Sequence, residues 1–411
     1  MEQQNQMPKI QIADLPEGQS TSPKPLALNN IAITGMGVNC VTGSEPIALF
    51  GAVGTNLGFS NPDPVLEAPS LTGEGVESIV TCPIVEYDEE DPHDRMLTCM
   101  IPALMDAIDT AKLIEAPRKN ILFYLVIPSQ ETARGDCLLM DEWHSFLHEE
   151  LKDLGDVEIR IKGCTQSVTE HLMFVADGLQ QRHWDTVIFG AVDSLVDELT
   201  CMELGKQQRI QTVETADGVI PGEAAGFIVL EHLEAVRSVD DIPIAWLKGL
   251  CVQEEPHHGN PDLQRLSGLS QAMNSVLAAC GITKERLSSL VLALGTEQTD
   301  MIEWHQTENM LWPYQASEQE MTALRLGEVD MIDPPPPNMP EKLDLNLTLG
   351  DIGIASVPVA IILSAARFEF NHPVCKRALV LESGETPFRG AIYVKHPTNG
   401  KQLEQLLEDA A

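Results

Sequence analysis

Nine runs of aliphatic and β-branched residues recur along this chain, separated by helix-length amphipathic segments, and that alternation narrows the fold more than any other feature. The runs are NIAITGM (30–36), NILFYLVIP (120–128), VEIRIKG (157–163), DTVIFGAVDS (185–194), GFIVLEHL (226–233), IPIAWLKGL (242–250), LSSLVLALG (287–295), RALVLES (377–383) and GAIYVKH (390–396). Helical periods occupy 95–113, 166–183, 266–281 and 357–370 between them. Several of the strand runs are apolar throughout, as strands covered on both faces are, so the pattern predicts an α/β fold with buried sheets. Two strand–helix series follow one another, predicting two similar halves at 30–236 and 237–398. Residues 1–29 read as a flexible N-terminal extension, 399–411 as an acidic tail, and the proline-rich stretch 329–343 as a surface loop.

Charge excludes several functions. With 62 acidic against 26 basic residues, the net charge of −36 repels nucleic acid and anionic membrane surfaces. No apolar run is long enough to span a bilayer and the first residues lack a signal-peptide pattern, so a cytoplasmic protein is expected. The nine cysteines lie singly, with no CxxC pair, and read as reduced thiols; no metal site is expected. No GxGxxG, phosphate loop or GxSxG is present, and no cofactor is expected.

Four segments, in order, resemble the β-ketoacyl synthases of the thiolase superfamily. They are IAITGMGVNCVTG (31–43), in which a strand is expected to run into a glycine turn, DRMLTCMIPALMDAID (94–109), DTVIFGAVDSLVD (185–197) and DGVIPGEAAGFIVLE (217–231). Gly222 and Glu223 fall in the last, where the family has a loop with a buried glutamate before a core strand. The second half matches more loosely, through VLALGTEQTDMIEW (291–304) and LTLGDIGIASVPVAIILSA (347–365). The resemblance implies a five-layered αβαβα fold made of two similar halves, usually paired as a dimer through one sheet edge.

Condensation in that family uses a cysteine thiolate at a helix start and two histidines. Counted back from Asp185 by the helix length, the nucleophile position is Thr165, with Cys164 one residue early. Either Cys164 is a nucleophile, or it is a strand-end residue and Thr165 caps the following helix. The two histidine positions fall on Leu294, which donates no hydrogen bond, and on Asp351, whose carboxylate repels a developing oxyanion. His257 and His258 lie on the loop that lines the substrate entrance in the family and are the best substitutes. His305 follows Trp304 in an amphipathic segment, and Glu297, Asp300 and Glu303 beside it read as an acidic solvent face.

These positions point to a ketosynthase-like protein without the Cys/His/His site that acts through binding. The alternative is an acyltransferase or 3-oxoacyl synthase-type thioester enzyme using Cys164. The Gly-Asp-x-Gly-x-Ala-Ser segment at 350–356 resembles that of stand-alone ketosynthase-like proteins encoded beside type VI secretion effectors and adaptors, implying a protein cargo or adaptor as partner. Gln166 invites comparison with the chain-length subunits of type II polyketide synthases, which lack the cysteine. A homodimer, or a heterodimer with a homologue, is implied. An acyl carrier protein is not an expected partner: it is acidic, and the basic residues available to meet it are few (Arg118 and Lys119, or Lys206 and Arg209).

Overall fold

The computed structural model describes residues 24–70, 75–84, 91–233, 243–258, 266–329, 331, 339–370 and 376–397. The chain runs β1 (Leu26–Cys40), α1 (Pro46–Gly54), β2 (Asn61–Pro69), β3 (Val76–Thr81), α2 (Pro92–Thr110), β4 (Ile121–Pro128), α3 (Ala133–Asp136), α4 (Met140–Glu150), β5 (Val157–Cys164), α5 (Val168–Gln180), β6 (Thr186–Ser194), α6 (Glu198–Lys206) and β7 (Glu223–His232). It continues through β8 (Ala245–Glu254), α7 (Gly268–Ala279), β9 (Ser289–Ala293), α8 (Gln298–Leu311), α9 (Glu318–Leu326), β10 (Glu341–Asp344), α10 (Asn346–Leu349), α11 (Ser356–Glu369), β11 (Arg377–Glu382) and β12 (Phe388–Lys395).

Apart from the β2–β3 hairpin, the strands form one ten-stranded sheet in the order β10-β9-β11-β12-β8-β1-β7-β6-β4-β5. Reading outward from its centre, β1-β7-β6-β4-β5 and β8-β12-β11-β9-β10 are the same topology twice: first strand, fifth, fourth, second, third. The directions repeat too. In each set the first–fifth and fifth–fourth pairs are antiparallel, and the fourth–second and second–third pairs are parallel. Each parallel step needs a crossover, and helices supply it. The two halves join where β1 pairs with β8, Ile31 opposite Leu247.

The long helices between the third and fourth strands of each half, α5 and α11, pack against strands of both halves: α5 on β1 and β6 as well as β8 and β12, α11 on β9 and β11 as well as β7. They are the middle layer. One apolar core, drawing on Leu172, Val175, Val359 and Ile362, lies between the halves, and α2 and α7 cover the outer faces. Layering is thus α, β, α, β, α. The hydrophobic effect drives this arrangement, because α11 is buried along nearly its whole length and needs a sheet on either side.

Every strand run read from the sequence lies within or overlaps an observed strand, and three boundaries differ in instructive ways. The segment ITGMG is not a turn: β1 continues to Cys40, and Gly35 and Gly37 lie within it, facing α2. A Cβ on Gly37 would sit 2.0 Å from the Ala103 carbonyl oxygen, so the glycine pair lets helix backbone approach strand backbone. The strand also begins at Leu26, so part of the expected N-terminal extension is sheet; residues 1–23 lie outside the described residues, as does the expected tail. Within 329–343, residues 341–343 belong to β10, paired parallel to β9, while 330 and 332–338 lie outside the described residues. Among the described residues, no helix is long and apolar enough to cross a membrane.

Candidate active site and its cavity

The carboxyl ends of β4, β5, β9 and β11 converge with the starts of α5 and α11 on a cavity of about 230 Å³. Cys164, Thr165, Leu294 and Asp351, scattered over the sequence, all line it. A second recess of about 260 Å³ adjoins it, sharing Gly295, Asp351, Gly384 and Glu385, and His258 lines that one. His257 lines neither.

Cys164 is the last residue of β5, half-buried, and α5 does not begin until Val168. Three residues intervene, so the thiol lies outside the first helical turn, where a macrodipole acts most strongly. Ser167 holds the N-cap position and Thr165 is exposed two residues before it, which corrects the expectation that Thr165 caps the helix. Burial first, and the Glu382 carboxylate second, push the Cys164 thiol up to about 12. The other seven described cysteines are pushed upward as well, each mainly by burial, so Cys164 is not singled out as a thiolate.

Leu294 is 4% exposed and packs in the outer core of the second half, directly after β9. Its neighbours keep tight backbone geometry: a Cβ on Gly295 would lie 2.2 Å from Asp300 Oδ2, and Thr296 Oγ1 accepts from Ile220 N at 3.0 Å. Asp351 bridges to the loop before β7, its carbonyl accepting from Gly222 N at 2.9 Å and its amide donating to Ile220 O at 2.7 Å. Its side chain accepts from Gly353 N at 2.9 Å. Burial, with Glu385 and Asp300 adding to it, pushes this carboxyl up to about 7 against the effect of that hydrogen bond and of Arg134. Protonated, the group is neutral and can donate a hydrogen bond, so the oxyanion repulsion inferred from sequence applies to its ionised form alone.

Gly222 and Glu223 sit beside this bridge. Glu223 is 1% exposed and accepts from Ile84 N (2.6 Å), Arg95 Nε (2.5 Å) and Nη2 (2.7 Å), and Ser194 Oγ (2.9 Å). A side chain on Gly222 would meet the Leu349 carbonyl oxygen at 2.3 Å.

His258 is held at both ring nitrogens, at 2.9 Å from the Glu385 carbonyl oxygen through Nε2 and at 3.1 Å from Arg389 Nη2 through Nδ1. Arg389 can only donate, so Nδ1 accepts and Nε2 carries the proton. Burial and then the nearby Arg389 charge lower its pKa, which favours this neutral form. His305 is exposed on α8, its side chain at 61%.

Sequence reasoning missed the acidic residues that line the cavity and the recess beside it. Asp300 and Glu303 are not a solvent face; they are buried, Asp300 accepting from Ser383 Oγ at 3.0 Å and Glu303 paired with Arg389 Nε at 2.8 Å. Glu297 is paired with Arg209 Nη2 at 2.6 Å, and Arg209 also reaches Glu385 at 3.2 Å. Arg118 is engaged likewise, with Glu231 at 2.7 Å, so neither basic pair noted in the sequence is a patch of free cations. Glu382 was also missed, and no local signal marked it: its partners, from Ser167 onward, are more than 200 residues away. Among the described residues, no group of three or more His, Cys, Asp or Glu side chains is arranged to hold a metal ion.

No family model and no curated protein matches this chain. Solved structures do. The ishigamide ketosynthase/chain length factor superposes with a TM-score of 0.66 at 14% identity, over 90% of this chain and 100% of that one. A type II PKS ketosynthase bound to a hexaketide, solved in complex with its acyl-carrier protein, gives 0.67 at 13% identity, over 90% and 99%. A beta-ketoacyl synthase from Burkholderia phymatum STM815 gives 0.62 at 14%, over 90% and 100%. The fold is therefore that of the thiolase-like ketosynthases.

Proposed function

We propose that this ketosynthase-fold chain does not carry out condensation and acts by binding. One observation supports it above the rest. Where thiolate and imidazoles are needed, the cavity presents a thiol pushed up to about 12, a leucine and a carboxyl group. His258 offers no ready replacement, since both of its ring nitrogens already have partners.

The competing reading, an acyltransferase working through Cys164, draws on the fact that this thiol lines the cavity. Thiol labelling separates the two. At pH 7.5, iodoacetamide is expected to modify Cys164 no faster than the other half-buried thiols, Cys137 and Cys280. Selective modification at least ~tenfold faster, abolished in Cys164→Ala, would sink the binding-only reading.

The partner is proposed to be a protein. An acidic carrier is disfavoured because Arg118 and Arg209 are already paired and the chain itself is strongly acidic. The resemblance at 350–356 supports a secretion-system cargo or adaptor in a cytoplasmic setting, and recovery of such a protein with the tagged chain from its native cell would establish it.

Self-association is proposed through β5, the last strand of the sheet. An antiparallel two-fold pairing centred on Ile159 sets Glu158 opposite Arg160 and Asp156 opposite Lys162, a self-complementary register. Light scattering is expected to give twice the chain mass. Arg160→Glu, which puts like charges across that pairing, is expected to shift the mass toward the monomer; an unchanged mass removes this interface.

A further inference from the structure

Nothing in α5 itself caps its N-terminus. Ser167, at the N-cap position, makes no side-chain bond to the helix amides. The cap comes from the other half: Glu382, at the end of β11, accepts from Val168 N at 2.8 Å, Thr169 N at 3.1 Å and the Ser167 hydroxyl at 2.6 Å. The related position of the first half repeats the device. Asp193, near the end of β6, accepts from Ile354 N at 3.0 Å in the turn that runs into α11, and Arg134 Nε holds it at 2.7 Å. β6 and β11 are the fourth strands of their halves, so each half sends one buried carboxylate across to the segment that opens the central helix of the other, Glu382 to the first amides of α5 and Asp193 to the turn before α11.

A helix start with open amides stabilises an anion, which is how such a site supports a thiolate or an acyl oxyanion. Here that place carries an anion already. We propose that Glu382 is an internal carboxylate that fills the anion position of the cavity, keeping Cys164 a thiol and turning away anionic ligands. Glu382 is a positioning residue in this scheme. It rests on the reading of the chain as non-condensing, and it names the group responsible.

The raised pKa of the Cys164 thiol, in which Glu382 is the second cause after burial, agrees with that geometry. The cavity arginine, Arg134, is paired with Asp193 through both Nε and Nη2, so its charge is already balanced by a carboxylate of its own. Asp193 and, on α5, Glu170 push the thiol the same way, and the amide of Gln166 acts against them.

The test is the pH–rate profile of iodoacetamide modification at Cys164, read peptide by peptide in the full chain between pH 6 and 11. Glu382→Gln, which keeps an acceptor for the helix amides and removes the charge, is expected to raise the Cys164 rate at pH 8 by about tenfold and leave the other described thiols unchanged. A folded Glu382→Gln protein with an unaltered Cys164 profile overturns the proposal and leaves the non-condensing reading standing. A Cys164 that reacts rapidly in the wild type overturns that reading instead. A general rise at all the described thiols means loosened packing and also overturns the proposal. Ser167→Ala keeps the charge and is expected to leave the rate within about twofold; an equal acceleration there makes the cap merely structural. Should Glu382→Gln not fold, the wild type decides alone. Iodoacetate should then lag iodoacetamide at Cys164 by about tenfold more than it does at N-acetylcysteine amide, and an equal ratio overturns the proposal.

Discussion

Arg95→Met is expected to lower folding stability by about 3–5 kcal/mol, the range for breaking a buried ion pair from one side. Arg95 lies in the first turn of α2 and Glu223 opens β7; the two side chains are 8% and 0% exposed. Without the guanidinium, Glu223 keeps neutral donors alone, Ile84 N and Ser194 Oγ, and a full charge remains in the core. Adding Glu223→Gln to the same chain is expected to recover part of the loss, because the stranded charge is then gone. Urea unfolding midpoints check both. A single-variant loss under about 1 kcal/mol would mean that the pair is not the brace its geometry suggests.

Asp351→Asn is expected to act in the opposite direction and to depend on pH. The folded carboxyl sits near 7 while an unfolded aspartate sits near 3.9, so between these values the folded state holds more protons than the unfolded one. Stability contributed by this group is complete below about pH 4 and is lost as pH rises through 7, where the half-buried carboxyl must ionise. Asparagine keeps an acceptor for Gly353 N and carries no charge. The variant should therefore match the wild type near pH 4 and exceed it by about 2–4 kcal/mol at pH 8, the lower figure allowing for solvent screening of a half-buried group. The ionisable groups nearest the carboxyl, Glu385, Asp300 and Arg134, are shared by both proteins, so the difference between the two pH profiles isolates Asp351. A gain that is the same at both pH values would show that packing, and not titration, is responsible.

How far the sequence could be read follows from the range of each signal. The nine strand runs were legible because burial on both faces leaves an unbroken apolar run, as in β4 and β6, where every residue is buried. The hairpin β2–β3 was not, since Pro62, Pro64 and Pro69 argue against a strand, and such residues are tolerated at exposed edges. β10 was hidden inside a proline-rich and charged stretch; Glu341–Asp344 becomes strand because the free edge of β9 offers it backbone partners. On α8 the helical spacing of Asp300 and Glu303 was visible, and which way that face turned was not.

Local pattern by itself determined the class of the fold and the succession of its longer strands and helices. The tertiary structure decided the rest: the repeated strand order, the middle layer of α5 and α11, and the meeting of Cys164, Leu294 and Asp351 in one cavity. It also decided that Glu382 closes the helix beside Cys164. The physical reason is distance along the chain. Periodicity and capping are read within a few residues, whereas Glu382 meets Ser167 across 215 positions, a contact that only the packing of one half against the other brings about.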